Sequence, residues 1–137
     1  MNLAEIPLFS MLKGRFGHLG ERQRLISQNV ANSDTPGYTP TDVQAFSFQA
    51  QMKTQMTPVA TQVVTQPGHM APPARHNTAF RTVQAKDSET TLDGNSVVLE
   101  EEMMKMAEAR MNYDAAISFY QKSLGMLRMA SRAPGRG

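Results

Sequence analysis

Asn29-Val30-Ala31-Asn32-Ser33-Asp34-Thr35-Pro36-Gly37-Tyr38 is the stretch where the chain changes character. An apolar pattern of helical period precedes it, and a run rich in Thr, Gln and Pro follows it. Pro36 disfavours helical backbone at Thr35 and so ends the helix before it. Pro36 and Gly37 suit the central positions of a type II turn, because Pro fixes the first φ and Gly accepts the positive second φ. Asn29 and Asn32, in the last helical turns, are placed to bond the carbonyls that a helix end leaves free, or a neighbour, and Tyr38 to anchor the exit.

Toward the amino terminus, Phe9, Leu12, Phe16, Leu19, Gln23, Ile26 and Val30 recur at steps of 3, 4, 3, 4, 3 and 4, a heptad stripe with one polar member. This predicts a helix over Pro7 to Ser33, roughly 40 Å long at 1.5 Å per residue, with Pro7 tolerated in its first turn. Gly14, Gly17 and Gly20 each cost such a helix about 0.8–1.0 kcal/mol relative to Ala. Either the helix breaks between Gly14 and Gly20, or packing holds it together and the glycines let another backbone approach closely.

The carboxy-terminal part carries Leu99, Met103, Met106, Arg110, Tyr113, Ile117, Tyr120, Leu124 and Leu127 at alternating steps of 4 and 3. Asp93, Asn95 and Ser96 are candidate N-caps, and Glu100, Glu101 and Glu102 lie where the helix dipole favours negative charge. Arg128 and Arg132 sit near the other end, and Pro134 and Gly135 close a helix of roughly 50 Å. The expected fold is therefore mainly α, with long amino- and carboxy-terminal heptad helices packed as a coiled coil, parallel or antiparallel. Residues 1–34 and 97–137 supply the helices, and residues 35–96 an irregular or short-β middle, all in one structural domain. Pro36, Pro40, Pro58, Pro67, Pro72 and Pro73 punctuate that middle, where Val59 to Val64 and Thr78 to Val83 could form two short strands. Leu25, Met104, Met111, Phe119, Met126 and Met129 fall off both stripes and need other partners, either further subunits or the core of a compact helical monomer.

Composition narrows the function. The 137 residues carry a net charge of only +2, with 40% apolar and 7% aromatic residues and neither Cys nor Trp. Disulfides, thiolate metal sites and thiol nucleophiles are excluded. The pI of 9.2 comes from dispersed Lys and Arg without interleaved aromatics, so a nucleic-acid groove is disfavoured. The amino terminus has no apolar block of signal-peptide length, and no window approaches a membrane span. His18, His69 and His76 form no metal-ligand pair, and His18 reads as a solvated side chain. Dinucleotide, phosphate-loop and nucleophile-elbow motifs are missing, so neither an enzyme nor a cofactor is expected.

The Ala31-Asn32-x-x-Thr35-Pro36-Gly37-Tyr38 run resembles the signature shared by the axial proteins of the bacterial flagellum, which build the rod, hook and hook junction. Asp93-Gly94-Asn95-Ser96-Val97 is similar to the Asp-Gly-Asn-x-Val start of the carboxy-terminal helix in the proximal-rod members of that family. Pro40-Thr41 departs from it, since members often carry a basic residue there. The resemblance covers roughly residues 5–40 and 92–130. It implies a non-enzymatic building block of the basal-body rod in the periplasm, exported without a cleaved signal by the flagellar type III apparatus. Its helices would line a tube that transmits torque and carries exported subunits. The implied partners are further copies of the chain, FliE, the MS-ring protein FliF, and the rod proteins FlgC, FlgF and FlgG. Phe48 and Met52, four residues apart, are similar to the Phe-x-x-x-hydrophobic element with which early flagellar substrates engage the export gate. The competing expectation is a small cytoplasmic helical adaptor or regulator that oligomerises through the heptads, which leaves the Thr-Pro-Gly-Tyr turn without a purpose.

Overall fold

The computed structural model describes residues 6–47 and 80–132, with positions 49 and 135. Two long helices dominate it, α1 (Pro7–Ala31) and α2 (Leu99–Ser131), with a two-stranded antiparallel sheet of β1 (Thr41–Val43) and β2 (Thr82–Gln84) beside them. This is the mainly helical architecture with a short-β middle that the two stripes led us to expect.

The helices are antiparallel. The Phe9 ring meets Tyr120 edge-on at 5.4 Å, Phe16 meets Tyr113 at 5.4 Å, Arg22 reaches Glu108 at 3.5 Å, and Asn29 bonds Glu102 at 3.0 Å. Each step along α1 is matched by an opposite step along α2. From α1, Phe9, Leu12, Leu19 and Ile26 of the expected stripe are buried, together with Leu25. Phe16 and Val30 are half-buried. α1 also runs unbroken through its glycines. What approaches Gly17 is a ring rather than a backbone: a Cβ there would come within 3.1 Å of Phe80 Cε2.

On α2 the surface that meets α1 is rotated from the expected stripe. Glu102, Ala109 and Ser123 are buried, and with half-buried Ala116 they recur every seventh residue. Between them come Met106, Tyr113, Tyr120 and Leu127 of the expected stripe, all half-buried, so steps of 4 and 3 persist with one half of the stripe kept and the other replaced. Leu99 and Met103 stand 40% and 63% exposed, and Ile117 and Leu124 are half-buried at the margin. The physical reason is volume. α1 supplies bulky side chains, so α2 buries the small ones of Ala109 and Ser123, and a pattern scored on hydrophobicity passes over Ala and Ser.

Three further expectations are corrected. α2 starts at N-cap Val98 without a side-chain cap from its own sequence, because Asp93, Asn95 and Ser96 are engaged elsewhere. The Val98 N–H donates instead to Asp87 Oδ2 at 2.8 Å, the service an N3 Glu performs in a capping box. β2 overlaps the expected Thr78 to Val83 strand, but its partner is β1, in the register Thr41↔Gln84, Asp42↔Val83, Val43↔Thr82. Val59 to Val64 lies outside the described residues. His18, expected in solvent, is 6% exposed between the rings of Phe46 and Phe80, with Nε2 2.8 Å from the Gln44 carbonyl oxygen. α1 thus secures the chain just beyond β1.

Candidate functional site

The turn that ends α1 and the turn that leads into α2 lock into each other. Tyr38 N–H donates to Thr35 O at 3.2 Å across Pro36-Gly37, and Gly37 has φ +72°, as a type II turn requires of its third residue. In the second turn Gly94 N–H donates to Thr91 O at 2.9 Å, and Gly94 has φ +84°. The faces of the two glycines touch: a Cβ on Gly94 would lie 3.3 Å from Gly37 Cα. Gly37 N–H donates to Asp93 O at 2.9 Å, and Ser96 N–H to Tyr38 O at 3.0 Å. Glycine is demanded at 94 twice over, by the positive φ and by the contact.

Asn95 fastens this clasp from the α2 side. It is 2% exposed, and its Nδ2 donates to the carbonyls of Asn32 (2.9 Å) and Thr35 (2.7 Å) at the end of α1. Its Oδ1 accepts from the Val97 N–H at 2.9 Å. Asn32 closes its own helix by donating to Gln28 O at 2.8 Å and accepting from the Thr35 hydroxyl at 3.1 Å. Asp93 accepts from the Thr91 hydroxyl and from the Asn95 N–H, and these bonds, the first the stronger cause, hold its carboxyl below the ordinary carboxylate range. Ala31, the last residue of α1, is exposed beside the clasp.

Below the clasp lies a buried polar centre built on Asn29. Its Nδ2 donates to Thr41 O (2.9 Å) and Glu102 Oε2 (3.0 Å), and its Oδ1 accepts from the Tyr38 hydroxyl and the Thr41 N–H, both at 3.0 Å. All four hydrogen-bonding capacities of the amide are used in a side chain 1% exposed. One residue thereby ties together α1, the turn, β1 and α2. Glu102, fully buried, takes a second bond at Oε1 from Lys105 Nζ at 2.8 Å, and Lys105 also reaches Asp87 Oδ1 at 2.6 Å. Burial pulls the Lys105 pKa down, but the bonds to Asp87 and Glu102 outweigh it and leave the ammonium above the usual lysine value. Because Asp87 also holds the Val98 N–H, the start of α2 is fixed to the same centre.

The structure therefore gathers Asn29, Asn32, Thr35, Gly37 and Tyr38 with Asp93, Gly94, Asn95 and Val97, two sets that are some sixty residues apart in sequence. Phe48 and Met52 lie outside the described residues. Asp87, Ser96, Glu102 and Lys105 were not singled out as site residues from the sequence. In the sequence Glu102 reads only as one of three carboxylates suited to the helix dipole, and its place seven residues before Ala109 becomes a signal once Ala109 is known to be buried against α1. Among the described residues no cluster of His, Asp and Glu is arranged to hold a metal ion, and no helix is long and apolar enough to cross a membrane.

The buried amides of Asn29 and Asn95 spend both their donors across the meeting of the two helix ends, an arrangement suited to holding those ends together, which is a structural role. The comparisons agree. No family model matches the chain. The chain is similar to flagellar basal body rod proteins, and in particular to those named FlgB. It is 28% identical to the FlgB of Agrobacterium fabrum over 93% of this chain and 95% of the relative. It is 26% identical to that of Salmonella typhimurium (80% and 82%) and 27% to that of Escherichia coli (72% and 73%). These relatives bear out the expected likeness to the flagellar axial proteins.

Proposed function

We propose that the chain is a structural, non-catalytic component of the flagellar basal-body rod. The observation that carries this reading is the clasp. Both motifs on which the likeness rested, each recognised separately in the sequence, make one contiguous set of bonds. The clasp joins an antiparallel pair of long helices into a unit whose outer surfaces stay available to other subunits.

In such a rod the helices pack against neighbouring subunits, pass torque along the tube and line the channel through which later subunits travel. The neighbours are further copies of this chain, FliE and the MS-ring protein FliF at the base, and FlgC, FlgF and FlgG beyond. The type III export apparatus delivers it to the periplasm, with Phe48 and Met52 as the element read at the gate.

Deletion of the coding sequence tests the reading. The expected result is non-motile cells that show, by electron cryotomography, basal rings without a rod. Swimming cells with complete rods would refute it. Undiminished secretion of the Phe48→Ala, Met52→Ala double variant would remove the export role while leaving the rest.

A further inference from the structure

The seam with α1 occupies one side of α2 and leaves another bare. Met104, Met111, Phe119 and Met126 are 72%, 68%, 48% and 50% exposed, and Glu108, Ala115 and Lys122 are exposed with them. At 100° per residue these side chains all fall within roughly 40° of a line through Ala115. The steps along the line are 4, 3, 4, 4, 3 and 4, an eleven-residue repeat. Eleven residues in three turns follow a nearly straight or slightly right-handed path, unlike the seven-residue seam on the other side. α2 therefore carries two stripes of different period, and α1 uses one of them.

The bare stripe is symmetric about Ala115. Met104 and Met126 lie eleven residues on either side of it, Glu108 and Lys122 seven, Met111 and Phe119 four. We propose that two copies of the chain associate through this face as an antiparallel two-fold dimer centred on Ala115. In that arrangement Met104 packs on Met126, Met111 on Phe119, and Glu108 pairs with Lys122, with every contact made twice. A parallel dimer in register would set Glu108 against Glu108 and Lys122 against Lys122, so charge selects the antiparallel one. Alanine at the axis lets the two backbones come close.

The charged pair is free to form. Lys122 has no ion pair among the described residues, and Glu108, although 3.5 Å from Arg22, keeps a side chain 58% exposed. An isologous contact closes on itself and does not propagate. The dimer is thus a closed form of the free chain that covers its methionine face, and it stands or falls independently of the rod reading.

The test is sedimentation equilibrium on the full chain, with circular dichroism to confirm that each variant is folded. The wild type is expected to be dimeric, Lys122→Glu and Glu108→Lys to weaken the dimer about tenfold or more, and the double reversal to restore it. With no native cysteine, Ala115→Cys should form an intermolecular disulfide on oxidation, whereas Gln121→Cys, off the stripe, should not. A monomer at ~100 µM, open-ended polymers, or a folded double reversal no tighter than either single one would overturn the proposal. Should Glu108→Lys unfold the chain through loss of Arg22, the Lys122→Glu and Ala115→Cys results decide.

Discussion

The two ends of the helix pair are held by different physics. At one end Phe9 and Phe16 meet Tyr113 and Tyr120 edge to face, contacts that are non-directional in their hydrophobic part and weakly directional in the rest. At the other, Asn29, Asn95, Glu102, Lys105 and Asp87 form directed bonds in which each partner has its place. The aromatic end tolerates small slips of one helix along the other. The polar end does not, because a slip of one residue would leave buried donors and acceptors unpaired, each costing about 1–3 kcal/mol. Register therefore comes from the clasp and its centre, and the aromatic end contributes burial.

The sharpest way to break this contrast is to make shape-preserving changes at both ends. Asn29→Asp keeps the outline but removes both donors and sets a second carboxylate against Glu102. It is expected to cost about 3–5 kcal/mol in urea unfolding, the range for disrupting a buried polar network by one member. Phe9→Met, an apolar swap at a site 6% exposed, should cost about 1 kcal/mol. Equal losses would mean that the polar centre is not what fixes the helices. Gly94→Ala comes next, at about 2 kcal/mol, from the positive φ and the contact with Gly37. Gly37→Ala, strained in φ but with open space around it, should lose about half as much. If the two glycine variants unfold alike, the turn-to-turn contact contributes nothing.

The same contrast decides what could be read in the sequence. The helices were legible because their periodicity is local, and the Pro36-Gly37 turn because each residue states its own backbone preference. The second turn was legible only by resemblance. The choice between parallel and antiparallel was not legible, because it is made by bonds such as Asn29 to Glu102, which join positions 73 residues apart. The α2 seam was missed for a related reason. Ala109, Ala116 and Ser123 are chosen for what faces them on α1, and no property of α2 alone marks small residues as the contact surface. Asp93, Asn95 and Ser96 looked like caps because their side chains do suit exposed helix ends, and the clasp claims those same capacities first.

The smallest expected effect concerns the charge of the polar centre. Lys105 has its folded pKa raised above the unfolded value, so its contribution to stability is complete below the ordinary lysine pKa of about 10.4 and is lost as pH rises through the folded value. Its side chain is 25% exposed, so water screens part of the interaction and the loss should be small beside that of Asn29→Asp. Lys105→Arg supplies the reference, since a guanidinium stays protonated throughout that range. Urea midpoints compared from pH 9 to 11.5 should fall more steeply for the wild type than for the variant, while other titrating groups cancel in the difference. Parallel curves would show that the ammonium serves Asp87 and Glu102 only as a hydrogen-bond donor, and that the register rests on the neutral amides of Asn29 and Asn95.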